Sequence, residues 1–327
     1  MPVTLYASVI NFEGFPDSTI LTTQYPGLNF ANAIILTAGI TLNEFEFPAH
    51  SGVNVASDNG GPMTIIFSPP VQSFSGFFTY SEMLTLRAFD TGSNQVATAT
   101  SHFTNNEALS GVVGSIPNEI LQVSAAAISK VTITGDPAGG SFVLDDASLG
   151  GPATTTIPVL SPPMLAAFAL LLAGLGACAA RSKTGNLPRS LAVAVFLFFL
   201  SFGALWLSAQ PQGHPRTPFP PRINDVVFSR SAIPANQATP VTVTARITHP
   251  ARIPDSVNVI RLDAAGMPAI IGRLHEDASA GDGIYTLQIV LNEPSPGRIQ
   301  FQVSAAFHGQ VRRVLSEPFN MVVGDSN

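Results

Sequence analysis

Apolar and polar residues alternate with period two through most of this chain. Val131 and Ile133 alternate with Thr132 and Thr134, and Val241, Val243, Ala245 and Ile247 alternate with Thr242, Thr244 and Arg246. Such alternation is the signature of strands with one buried and one solvated face. Short runs of this kind fall at 33–38, 63–67, 74–80, 84–90, 95–103, 119–125, 130–136 and 141–149, each bounded by Gly, Pro, Asn or Asp. Together with an opening strand before Glu13 they predict about nine strands in residues 1–153, a jelly-roll-like β-sandwich. Residues 223–327 repeat the habit in a further set of runs, among them 240–248, 256–263, 283–291 and 298–307. They predict an immunoglobulin-like β-sandwich with no disulfide.

Two stretches break the alternation. Residues 164–180 and 191–209 carry no charge, and the link between them holds Arg181, Lys183 and Arg189. Their lengths suit a pair of transmembrane helices. The basic link places that hairpin's turn in the cytoplasm by the positive-inside rule. The expected architecture is therefore mainly β. An N-terminal sandwich is followed by a membrane-spanning zone at 154–209, then a Pro-rich linker at 210–222, then the C-terminal sandwich. The lipid bilayer is the expected partner, and both β domains are expected on its outer side. The opening MPVTLYASVINFEG has neither a basic nor an apolar leader region, so a start further upstream is expected.

Composition sharpens this. Charged residues make up 11% of the chain and hydrophobic ones 46%, with a mean hydropathy of +0.31. A typical soluble protein is about 25% charged. The net charge is −6 and there is one cysteine, so neither a nucleic-acid footprint nor a Cys-built metal site is expected. The charge is uneven: residues 1–153 hold twelve acidic residues and only two basic ones, Arg87 and Lys130. Glu13, near the end of the first strand, and Asp145 and Asp146, in the last, could converge if those strands are neighbours. Two readings stay open for them, a structural calcium held by hard oxygen ligands and plain surface or turn acids. Adjacent residues in a strand point to opposite faces, so at most one of Asp145 and Asp146 is expected to join Glu13.

No enzyme signature is present. The sequence has no HExxH, no G-x-S-x-G, no G-x-G-x-x-G and no Walker A. Glu44 and Glu46 lie in an EFEF run that reads as a strand with Phe45 and Phe47 turned inward and both carboxylates in solvent. The arginines of the C-terminal zone, Arg312 and Arg313 among them, read as a mixed solvated face. Asp277 and Asp282 read as turn residues beside Gly281 and Gly283. Tyr25, Phe77, Phe78 and Tyr80 are the aromatic candidates for a sugar platform. In FSGFFTY, Phe78 and Tyr80 share one face and Phe77 shares the other with Ser75, more the pattern of a core strand with a partly covered outer side.

Ile157, Pro158, Leu160 and Ser161, an apolar run, and then Arg181 and Lys183 make up a tripartite plan of motif, span and basic cluster. This plan resembles the IPTL-CTERM sorting signal, a variant of the PEP-CTERM class of Gram-negative bacteria. Val159 stands where that family has Thr, and Pro162-Pro163 replace its Glu-Trp pair. The signal is internal here, with a second span and a domain after it. Residues 10–149 resemble the β-sandwich domains that precede such signals, with FEG near the start and FVLDD near the end. Residues 223–323 resemble the choice-of-anchor domain of type X. The resemblance implies export, sorting machinery at a bacterial inner membrane with both β domains on its periplasmic side, and a non-catalytic protein of the cell envelope or an extracellular polysaccharide matrix. The alternative function is a carbohydrate-binding module displayed on a membrane anchor.

Overall fold

The structure is a computed structural model, and the residues described in it are 8–150, 221–248, 253–263, 265–276 and 282–324. All regular elements among them are strands. Among the described residues no helix is long and apolar enough to cross a membrane. This corrects the expected architecture: the two transmembrane helices, and the anchor, bilayer partner and inner-membrane address that followed from them, have no counterpart among the described residues. The runs 164–180 and 191–209 themselves lie outside those residues, as do the motif residues Ile157, Pro158, Leu160, Ser161, Arg181 and Lys183. The physical reason for the correction is that the described apolar runs are short strands packed within the two sandwiches, and none has the length of unbroken apolarity that a lipid-facing helix needs.

The N-terminal sandwich holds β1 (Ser8–Ile10), β2 (Ile20–Leu21), β3 (Leu28–Ala31), β4 (Ala33–Thr37), β5 (Asn54–Asp58), β6 (Met63–Tyr80), β7 (Thr85–Phe89), β8 (Gln95–Thr100), β9 (Glu119–Thr134) and β10 (Phe142–Gly150). Four of the expected strands are two: 63–67 and 74–80 are the halves of β6, and 119–125 and 130–136 fall mostly in the halves of β9. Pro69 and Pro70 have no N–H for the ladder, and the β6–β9 register shifts between Ile66 and Val71. The strands bend there and pass from one layer to the other. The first layer runs β2-β4-β5-β10, then the later half of β6 and the earlier half of β9. The second runs β3, the earlier half of β6, the later half of β9, β7 and β8. Between them lie Met63, Ile65, Phe74, Phe78, Tyr80, Leu86, Val131, Ile133, Phe142 and Leu144, all buried.

The C-terminal sandwich comprises β11 (Arg222–Phe228), β12 (Ala232–Pro234), β13 (Thr239–Thr248), β14 (Ser256–Leu262), β15 (Pro268–Glu276), β16 (Ile284–Leu291), β17 (Gly297–Ala306), β18 (Val314–Leu315) and β19 (Phe319–Gly324). One layer is β11-β13-β16; the other is β15-β14-β17-β19-β12. Val241, Val243 and Ala245 of β13 face Val257, Val259, Phe301, Val303 and Met321 across the core. The inward row of β13 is the one its alternation marked.

The two sandwiches form one compact unit. The outer face of the first layer carries Ile34, Leu36, Val55 and Val143, and these are buried because Leu42, Phe47 and, from the C-terminal sandwich, Val311 cover them. Backbone bonds lock the seam: Asn43 N–H donates to the Val311 carbonyl and Arg313 N–H to the Thr41 carbonyl, both at 2.8 Å. Segment 44–47 is a turn. Glu46 is therefore not in solvent but 0% exposed, accepting from the Gly309 N–H and meeting His308. Phe45 is the residue left outside. Arg313, expected on a solvated face, is buried and hydrogen-bonded to Glu44, Ser256 and Ser304.

Candidate functional site

The three predicted carboxylates each bind the segment 50–54 that leads into β5, Glu13 at one end of it and the two aspartates at the other. Glu13 Oε1 accepts the N–H groups of Val53 and Asn54, each at 2.8 Å. Asp145 Oδ2 accepts those of His50 and Ser51, also at 2.8 Å, and its Oδ1 accepts its neighbour Asp146 N–H at 2.7 Å. Asp146 Oδ2 receives the His50 Nδ1 proton at 2.6 Å and Oδ1 the Ser51 hydroxyl at 2.9 Å. Both aspartates reach the loop although they are neighbours in a strand. The β10–β6 register shifts between Asp145 and Ser148, and Asp146 has a φ of 45°. A bulge with a residue in the left-handed region breaks the alternation, so both aspartates reach one loop.

This donor set does not suit calcium. A calcium ion needs oxygens converging on it, whereas N–H groups converge on these carboxylates. Among the described residues no group of three or more His, Cys, Asp or Glu is placed to hold a metal. The carboxylates act as a clamp that fixes a loop rich in unpaired amides. Burial pushes the Asp145 carboxyl up to about 6; its bonds from Ser51, Asp146 and His50 oppose that shift. Gly52 belongs to the same arrangement. Its φ is +58°, and a Cβ there would lie 2.2 Å from Glu13 Oε1.

The clamp sets the His50 ring flat on Phe77, with centroids 3.5 Å apart and planes 9° from parallel. The imidazole remains 37% exposed, so its other face looks outward. Around it the outer face of β6, β9 and β10 is open. Ile120, paired with Phe77, is 56% exposed. Ser75 pairs with Gln122 on one side and Ser148 on the other. The result is one flat aromatic surface among hydroxyls and an amide, beside the wall that segment 38–49 makes over β4 and β5.

The other aromatic candidates go elsewhere. Phe78 and Tyr80 are in the core, and Tyr25 packs edge-on against Phe12 and Phe15. Asp282 accepts the Ile284 N–H at 2.8 Å; Asp277 lies outside the described residues. No spacing marks His50 in the sequence: it enters the site through its N–H bond to Asp145, its ring bond to Asp146 and its stacking on Phe77.

No protein family matches the chain, and no curated protein does. Among solved structures, a DUF4785 family protein of Legionella pneumophila aligns at 6% identity over 98% of this chain and 66% of its own, with a TM-score of 0.24. The chain thus spans just under two thirds of that protein. The N-terminal tandem of CBM22 domains of Paenibacillus barcinonensis Xyn10C aligns at 9% identity over 100% of this chain and 93% of its own, with a TM-score of 0.25. At such scores neither likeness bears on the fold or the function of this chain.

Proposed function

We propose that this is a non-enzymatic carbohydrate-binding protein whose N-terminal sandwich takes a neutral glycan on the open outer face of β10, β6 and β9. The observation that carries the reading is the His50 ring, seated on Phe77 and held at Nδ1 by Asp146. A flat ring fixed before the ligand arrives stacks on a sugar ring at little cost in ordering. The hydroxyls of Ser75 and Ser148 and the amide of Gln122 supply donors and acceptors for sugar hydroxyls. A binding role fits better than a glycosidase because the carboxylates here are spent on amides and on His50, leaving no free acid–base pair across an open gap.

The test is calorimetric titration of the full chain with a panel of soluble neutral polysaccharides, repeated with His50→Ala and Phe77→Ala. Binding by the wild type, weakened about tenfold or more by either change, supports the reading. Absence of binding to the whole panel, or variants that bind as the wild type does, contradicts it.

A further inference from the structure

The second layer of the same sandwich carries an anomaly of charge. Residues 1–153 have twelve acidic side chains for two basic ones. Any base in such a setting should find an acid. Yet Arg87 and Lys130 lie side by side on one sheet face, and neither forms an ion pair or a side-chain hydrogen bond among the described residues. Arg87 of β7 pairs with Thr132 of β9, and Phe89 of β7 pairs with Lys130. The two cations are therefore diagonal neighbours, about 7–8 Å apart at the backbone. Lys130 Nζ lies over the Phe89 ring, 4.6 Å from its centroid. The nearest acid along β7, Asp90, turns its carboxylate into its own turn, accepting from the Gly92 and Asn94 N–H groups at 2.8 and 2.9 Å.

Hydroxyls surround the pair. Thr64, Thr132, Arg87 and Thr98 form one row across β6, β9, β7 and β8. Thr134, Thr85 and Thr100 form the next. All six threonines are half-buried or exposed, and the opposite side of these strands is core. The face thus offers two cations with no acid partner, one of them resting on an aromatic ring, and rows of hydroxyls, with no carboxylate among the paired positions.

We infer that this face is a binding site for a carboxylate-bearing polysaccharide, a uronate polymer. Its carboxylates would meet Arg87 and Lys130 through charge-assisted hydrogen bonds, and its ring hydroxyls would meet the threonine rows. Charge density decides against a nucleic acid. A duplex carries one charge per ~1.7 Å, and two cations cannot offset its repulsion by the twelve acids of the domain. A polymer with one carboxylate per sugar is a sparser line of charge. This inference stands apart from the neutral-glycan reading, since it uses the other layer.

Affinity electrophoresis of the full chain through gels containing polygalacturonate tests it, with dextran gels as the uncharged reference. Retardation by polygalacturonate is expected to exceed retardation by dextran, and the excess to weaken as salt screens the contact. The Arg87→Gln/Lys130→Met double variant is expected to lose at least about tenfold in affinity, as two charge-assisted bonds would. His50→Ala is expected to leave this binding unchanged, which separates the two faces. Both substituted side chains point away from the core, so the melting curve of the double variant checks that the fold is intact. The inference is overturned if the wild type is not retarded at low salt or if the double variant is retarded equally. It is also overturned if duplex DNA displaces polygalacturonate at equal charge concentration.

Discussion

Arg313→Ala should loosen the seam between the sandwiches more than any other single truncation there. The side chain is 0% exposed. Its Nη1 reaches Glu44 Oε2 at 3.1 Å, its Nε the Ser304 hydroxyl at 2.8 Å, and its Nη2 the Ser256 hydroxyl at 2.8 Å. Burial pulls the guanidinium below its ordinary value, and the Glu44 charge opposes that. Removing one member of a buried pair costs about 3–5 kcal/mol, because the remaining group stays desolvated. Glu44, 27% exposed, recovers part of its hydration, so the lower half of that range applies. For a unit of this size each kcal/mol lowers the melting temperature by about 2–4 °C. A fall of roughly 6–16 °C is expected by calorimetry. Glu44→Ala should cost less, and the double variant should cost less than the sum by about 1–3 kcal/mol. Melting of Arg313→Ala within a degree or two of the wild type would refute the reasoning. So would additivity of the two changes, since the pair would then not be coupled.

The Asp145 carboxyl is raised from 3.8 to about 6. The folded state then holds a proton that the unfolded state has lost, so the stability due to this group is full below about 4 and declines as pH rises through about 6. The melting temperature should show that decline over this window, and Asp145→Asn should flatten it. Gly52→Ala should destabilise by about 2 kcal/mol or more, since it strains a left-handed residue and unseats the Glu13 carboxylate. The same change should weaken glycan binding along with stability. Chelation should leave the melting temperature where millimolar calcium leaves it; a saturable rise with calcium would restore the metal reading of Glu13, Asp145 and Asp146.

The sequence made strands legible wherever one face is core. Thr132 and Thr134 against Val131 and Ile133, and Phe78 and Tyr80 against Ser75 and Phe77, fall on the sides that alternation assigned. It failed where a second surface arrives from far along the chain. Ile34 and Leu36 alternate with Ala33 and Ile35, yet both faces of β4 are buried because segment 38–49 and Val311 cover the outer one. The same cover explains Glu46 and Arg313, which local pattern put in solvent. Polarity alone does not report that a carboxylate will be met by an amide or a guanidinium over 250 residues away. At the candidate site the adjacency of the first strand, β1, and the last strand of the sandwich, β10, was readable. The reach of both aspartates was not, because a bulge is a backbone event with no fixed residue pattern.

The central claim is that the open face of β10, β6 and β9 takes up a glycan on the His50 ring. Amide-resolved NMR titration of the full chain with a neutral polysaccharide fragment that it binds tests this most directly. Saturable shifts should cluster at Ser51, Ser75, Phe77, Ile120 and Gln122, and should disappear in His50→Ala. Shifts confined to the C-terminal sandwich, or a cluster that survives in His50→Ala, would contradict it.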